Sequence, residues 1–220
     1  MFDLGPHLDD VAVAAGTNIL LKGPPLTGKR RLALETLAAG SRRGDNAVVV
    51  TARDCAERVR DDYGTILGGT DDAGLAVVDA VSDQIGSAGA DGQRPKYSAV
   101  PTDMTGITVK FAEFVQSNDG DDGVARMRVL VDSVSSLLMY SPLQTVFRSL
   151  HVFTARVENT RSLGLYIAES TAHDEDAMDS LEALFDGSIS VDDAKRATLS
   201  LPGVANRTID VSRLSPRRRR

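Results

Sequence analysis

Apolar positions fall into short β-branched runs that alternate with segments of helical period, the pattern of an α/β domain. Asn18 to Lys22 (NILLK) is an apolar run stopped by Gly23, Pro24 and Pro25, and it predicts a buried strand. From Lys29, positions Leu32, Ala33, Thr36, Leu37 and Ala38 recur at helical spacing until Gly40 and Gly44 interrupt them. Ala47 to Thr51 predicts a second strand, a helix carrying Val59, Tyr63, Ile66 and Leu67 follows, and Leu75 to Asp79 predicts a third strand. Ser82 to Val100 is rich in Gly, Ser, Asp and Gln without apolar period, so a long exposed loop is expected there, of the kind that is functional or disordered.

Periodicity resumes on a helix with Ile107, Phe111, Phe114 and Val115, stopped by the acidic turn Asn118 to Gly123. Arg128 to Asp132 (RVLVD) predicts the fourth strand. Leu143 to Val157 is the clearest amphipathic helix, with Leu143, Val146, Phe147, Leu150 and Phe153 on one stripe. Leu165 to Ala168 predicts the fifth strand, and a short helix is expected around Met178 to Leu184. Closely spaced β runs at Ser188 to Val191, Ala197 to Leu201 and Thr208 to Val211 then predict an antiparallel meander at one sheet edge. Together these give a mainly parallel, twisted sheet with helices on both faces and ligands at the C-terminal strand ends.

Length and composition narrow the class. With 220 residues, 42% hydrophobic and 25% charged, the chain suits one soluble domain, expected over 1–214 and followed by a basic disordered tail over 215–220. No apolar run is long enough to cross a bilayer, and the first residues lack the pattern of a secretory signal, so a cytoplasmic location is expected. The lone Cys55 reads as a small packed side chain. Net charge is −6, the acids are mostly Asp, the bases mostly Arg, and Lys is scarce (Lys22, Lys29, Lys96, Lys110, Lys195). That balance suits a halophilic, archaeal protein, because short carboxylates hold hydrated cations while molar salt screens their repulsion.

The candidate chemistry begins at Gly23 to Arg30 (GPPLTGKR), which matches the phosphate loop G-x-x-x-x-G-K between strand and helix. Glycines let the backbone close around a phosphate, the helix N-terminus adds partial positive charge, and Lys29 would reach the β- and γ-phosphates. Gly23, Pro24, Pro25, Leu26, Thr27, Gly28, Lys29, Arg30 and Arg31 are therefore the expected nucleotide-binding residues. Asp132, at the end of RVLVD, fits the strand-terminal aspartate that holds magnesium through water beside such a loop. Arg30 stands where a Ser or Thr hydroxyl normally meets the metal, and a guanidinium has donors only. It can point to solvent, contact phosphate, or pair with Asp132 and fill the metal site. Pairing is preferred, because each charge would otherwise be buried alone, and it requires a separation within about 6 Å.

The sequence resembles the RecA/KaiC-like branch of P-loop ATPases, and more closely haloarchaeal RecA/KaiC-like proteins. The resemblance rests on GTNILLKGPPLTGKR (Gly16 to Arg30), AVVVTARDCAERV (Ala47 to Val59), YSAVPTDMTGITVKFAEF (Tyr97 to Phe114), VLVDSVSSLLMYSPLQTVFRSLHVFTARV (Val129 to Val157) and TAHDEDAMDSLEALFDG (Thr171 to Gly187). It implies a RecA-like core, ATP as the nucleotide, and ring or filament assembly. It also implies a pair of glutamates after the second strand, one of which activates water. Arg53 and Asp54 stand there instead. An arginine cannot act as a base, and aspartate is one methylene shorter than glutamate. Glu169 and Asp174, after the fifth strand, are candidate substitutes, although a solvated acidic surface is the preferred reading.

His173 reads as a turn residue and His151 as a core or interface histidine. The tail Arg217 to Arg220 could contact nucleic acid, but a disordered end is preferred. Three functions follow. The leading one is an ATP-binding regulatory protein, at most a weak ATPase, with a protein partner or copies of itself. The others are a slow ATPase in DNA recombination or signalling, using Asp54, Asp132 or Glu169, and an interaction module in which an Arg30–Asp132 salt bridge closes the site.

Overall fold

A computed structural model of the chain describes residues 1–8, 10–69, 75–82, 96–97, 101–117 and 126–214. In chain order the elements are β1 (Phe2–Asp3), β2 (Ala12–Val13), β3 (Asn18–Gly23), α1 (Lys29–Ser41), β4 (Asn46–Thr51), α2 (Ala56–Leu67), β5 (Leu75–Asp79), β6 (Lys96–Tyr97) and α3 (Met104–Ser117). They continue with β7 (Met127–Asp132), α4 (Val134–Tyr140), α5 (Leu143–Asn159), β8 (Leu163–Glu169), α6 (Glu175–Glu182), β9 (Gly187–Val191), β10 (Arg196–Ser200), β11 (Arg207–Asp210) and a 3-10 turn (Ser212–Leu214).

The strand order is β11-β10-β9-β3-β8-β7-β4-β5-β6. Pairing is parallel from β9 through β3, β8, β7, β4 and β5 to β6, and antiparallel between β9, β10 and β11. The expected fold class holds: a RecA-like α/β sheet, mainly parallel, ending in antiparallel strands. The first strand of the meander is refined, since β9 lies parallel to β3 before the chain reverses into β10.

Alternation along each strand divides the core in two. Ile19, Leu21, Ala47, Val49 and Leu130 point to the face covered by α1 and α2. Leu20, Val48, Val50, Val129 and Val131 point to the face covered by α3, α4 and α5. Because α1 is buried from Leu32 to Gly40 on nearly every side, it fixes where its N-terminus meets the sheet. Arg128 is fully buried beneath it, donating from Nε to Asp45 Oδ2 (2.9 Å) and from Nη1 to the carbonyls of Asp3 (2.7 Å) and Thr36 (2.8 Å). That guanidinium ties β1, α1 and β7 together through partners that are distant in the chain.

Two expectations change. The segment Ser82 to Val100 is not loop throughout, because Lys96 and Tyr97 pair with Val78 and Asp79 on the open edge of β5. Such an edge presents unpaired backbone groups that take a further strand. His151 is not in the core: it is exposed on α5, because the buried stripe is Val146, Leu150, Phe153 and Val157, and position 151 falls beside it. Residues 83–95 and 98–100, the turn Asn118 to Gly123 and the tail over 215–220 lie outside the described residues. Among the described residues no helix is long and apolar enough to cross a membrane.

Candidate functional site

Sheet order explains why residues far apart in the chain meet. Parallel strands end on the same side, and the order β3-β8-β7-β4 sets Gly23, Glu169, Asp132 and Thr51 along one edge. Gly23 is in register with Glu169, and Thr51 with Asp132. The loop leaving β3 and the turn leaving β4 therefore converge over the end of β7.

The loop is shaped by two glycines. Gly28, at φ 100°, is the N-cap of α1 with no side chain capping the helix, so the first-turn N–H groups are available to an anion. At Gly23, φ is 148°, and a Cβ would lie 2.1 Å from the carbonyl oxygen of Val191 on β9, so the loop and β9 approach through a missing side chain. Leu26 at the tip is 81% exposed at φ 61°, and its carbonyl accepts a hydrogen bond from Lys195 Nζ in the β9–β10 hairpin.

Lys29 is only 3% exposed, and its ammonium folds back into the loop. Nζ donates to the carbonyl of Pro24 (2.6 Å), to Glu169 Oε2 (2.9 Å) and to Thr27 Oγ1 (3.3 Å). Burial pushes its pKa below the usual 10.5, and the Glu169 carboxylate offsets part of that shift.

Arg30 turns the other way. Its Nε donates to Asp132 Oδ2 at 2.6 Å and its Nη1 to Asp62 Oδ2 at 2.6 Å, while Nη2 lies 3.5 Å from Asp54 Oδ2. Asp132 has no exposed surface. Burial raises its carboxyl above the usual carboxylate range, and the guanidinium opposes that shift. The Arg30 guanidinium, set against three carboxylates, is held still more firmly protonated than usual, despite its own burial.

Arg30 takes Asp132 Oδ2, the other carboxylate oxygen, Oδ1, is buried without a hydrogen-bond partner, and among the described residues no group of three or more His, Cys, Asp or Glu side chains could hold a metal. The uncapped helix end, the glycine-shaped turn and a buried ammonium meet at one point, features that favour an anion. Beside the loop opens a cleft of about 510 Å³, lined by Lys22, Gly23, Pro24, His173, Val191 and Asp192 among others, a size that suits a small ligand.

The other expected residues are distributed unevenly. Asp54 sits in the site but is flanked by Arg30, Arg53 (3.9 Å) and Arg58 (3.6 Å). Arg31 is not brought to the loop: its Nε donates to Glu35 Oε1 at 2.7 Å, and it lines a separate cleft with Pro6, Arg42 and Ile66. Asp174 caps α6, accepting from the Ala177 amide at 2.8 Å. His173, in the turn after β8, shares Ser135 Oγ with the Glu169 amide, each at 2.8 Å. Asp62, Ser135 and Lys195 were not legible as site residues.

The family described as "Family of unknown function (DUF7504)" matches residues 16–191. Among solved structures, the KaiC-like protein PH0186 of the hyperthermophilic archaeon Pyrococcus horikoshii OT3 is similar, with a TM-score of 0.61 at 15% identity, over 88% of this chain and 84% of that one. No curated protein matches.

Proposed function

Since this chain belongs to the family of unknown function DUF7504 and has a RecA/KaiC-like fold, we propose that it is an ATP-binding regulatory protein with weak or absent hydrolysis. The observation that carries this reading is the side chain of Arg30, lying across Asp132 one residue after the loop lysine. Lys29, Gly28 and the start of α1 offer what a phosphate needs, and Arg30 puts a fixed organic cation where a metal would be exchanged. Binding is then independent of magnesium. Turnover is slow, because the metal's charge is missing at the leaving phosphates and the carboxylates of Asp54 and Glu169 are committed to cations. The domain boundaries 1–214, a haloarchaeal setting at molar salt and assembly with copies of itself belong to the same reading. The Asp-rich, Lys-poor composition supports the second of these.

A second reading, an interaction module that binds no nucleotide, is favoured by the two ion pairs Lys29–Glu169 and Arg30–Asp132, which satisfy the site from within. Isothermal titration with ATP in molar KCl, with magnesium and with EDTA, followed by phosphate release, separates the two. Equal binding in both buffers with little release supports the regulatory protein, and absence of binding leaves the module.

A further inference from the structure

We propose that Glu169 bars the terminal phosphate from Lys29, so that the site retains a nucleoside diphosphate in preference to a triphosphate. This rests on the nucleotide-binding reading above and specifies its ligand.

An ammonium has three donors. Those of Lys29 go to Pro24 and Thr27, both within the loop, and to Glu169, which lies outside it. A loop lysine ordinarily spans the β- and γ-phosphates. Here the donor directed away from the loop already holds an anion, so a terminal phosphate must displace Glu169 or lie against it.

The backbone that carries Glu169 is fixed, which keeps its carboxylate within reach of Lys29. Residue 169 is in parallel register with Gly23, its amide donates to Ser135 Oγ at 2.8 Å, and the Ser170 amide donates to the Gly23 carbonyl at 3.0 Å. The carboxylate reaches Lys29 from a strand end hydrogen-bonded to the same loop. Other positive charge is near, since Arg53 and Lys195 both act on Lys29, so the mouth still attracts anions. The inner phosphates would use the loop amides and the start of α1, where no carboxylate side chain caps the helix. A third phosphate adds charge on the side occupied by Glu169, and Arg30 excludes the metal that would normally neutralise it.

The test is titration calorimetry of the full chain with ADP and with ATP in EDTA, on wild type, Glu169→Gln and Lys29→Ala. Wild type is expected to bind ADP about tenfold or more tightly than ATP, a contact-range charge repulsion read as affinity. Glu169→Gln, which keeps the shape and removes the charge, is expected to raise ATP affinity by about the same factor and leave ADP within about twofold. Lys29→Ala should lose both ligands. Wild type binding ATP as tightly as ADP overturns the role of Glu169 while leaving the nucleotide site intact, and does so without any variant. An equal change for both ligands in Glu169→Gln overturns it as well. Absence of binding by either nucleotide, or ADP binding unchanged in Lys29→Ala, overturns the nucleotide reading and this one together.

Discussion

Arg30 Nε lies 2.6 Å from Asp132 Oδ2, bridging the first turn of α1 and the last residue of β7. The same guanidinium reaches Asp62 on α2 and Asp54 in the turn after β4. One side chain thus connects four elements at the C-terminal edge of the sheet. The pair is incomplete, since Asp132 Oδ1 and Arg30 Nη2 are buried without a hydrogen-bond partner.

Removing one member should cost more than removing both. Arg30→Met leaves Asp132 buried with no counter-charge, and a loss of about 3–5 kcal/mol is expected from breaking a buried ion pair. Arg30→Met with Asp132→Leu should recover most of that loss, because a well-packed apolar pair is often as stable as a buried ionic one. Urea unfolding of the two singles and the double measures this coupling. Additive losses would show that the two residues do not act as a pair.

Restoring a hydroxyl should restore a metal requirement. In Arg30→Ser the smaller side chain frees Asp132 Oδ2 and can itself ligate, so ATP binding is expected to become tighter with magnesium than with EDTA, by about tenfold. Wild type is expected to bind alike in both. Calorimetry in the two buffers reads the difference, and magnesium dependence in wild type would sink the assignment of Arg30 as its replacement.

The sequence made the phosphate loop, the alternation of strands and helices and the antiparallel end legible, because each depends on local spacing or turn chemistry. It also placed Asp132 at a strand end and left Arg30 needing a partner. Asp62 and Ser135 were not legible, because they are brought to the site by how α2 and α4 pack, and neither spacing nor residue type marks that. Lys195 reaches the loop only because β9 lies parallel to β3 and sets its hairpin over Leu26. Arg31 shows the reverse failure. Its position next to the motif suggested phosphate, but one helical step rotates it about 100° from Arg30, toward Glu35.

Lys29 should give the site a distinctive pH response. Burial lowers its pKa below the usual 10.5, so on raising the pH it loses its proton before an exposed lysine does. Anion affinity should fall through that window. Stability should move the opposite way, because there the unfolded chain binds more protons than the native one, and the group's contribution to stability rises with pH. Lys29→Arg keeps its charge throughout, so its affinity is expected to stay level where wild type declines. Nucleotide titrations across the alkaline range compare the two. Parallel declines would show that another group controls binding.

Helix α1 supports the phosphate loop from beneath. Gly40 faces Arg128, and a Cβ there would lie 2.1 Å from Arg128 Nε and 2.5 Å from its Cδ. Helix propensity alone would make Gly40→Ala stabilising by about 1 kcal/mol. Packing should reverse the sign, since Arg128 is fully buried and tied to Asp45, Asp3 and Thr36, so moving it strains those hydrogen bonds. Overpacking of this kind costs about 1–3 kcal/mol, so the net effect expected is a loss. It should also reach the site, because α1 runs from the phosphate loop to this contact and any outward shift of its C-terminal half tilts its N-terminus relative to β7. Thermal melts of Gly40→Ala, with nucleotide titration, test both parts. A melting temperature above wild type would mean that Arg128 yields without cost and does not fix the position of α1.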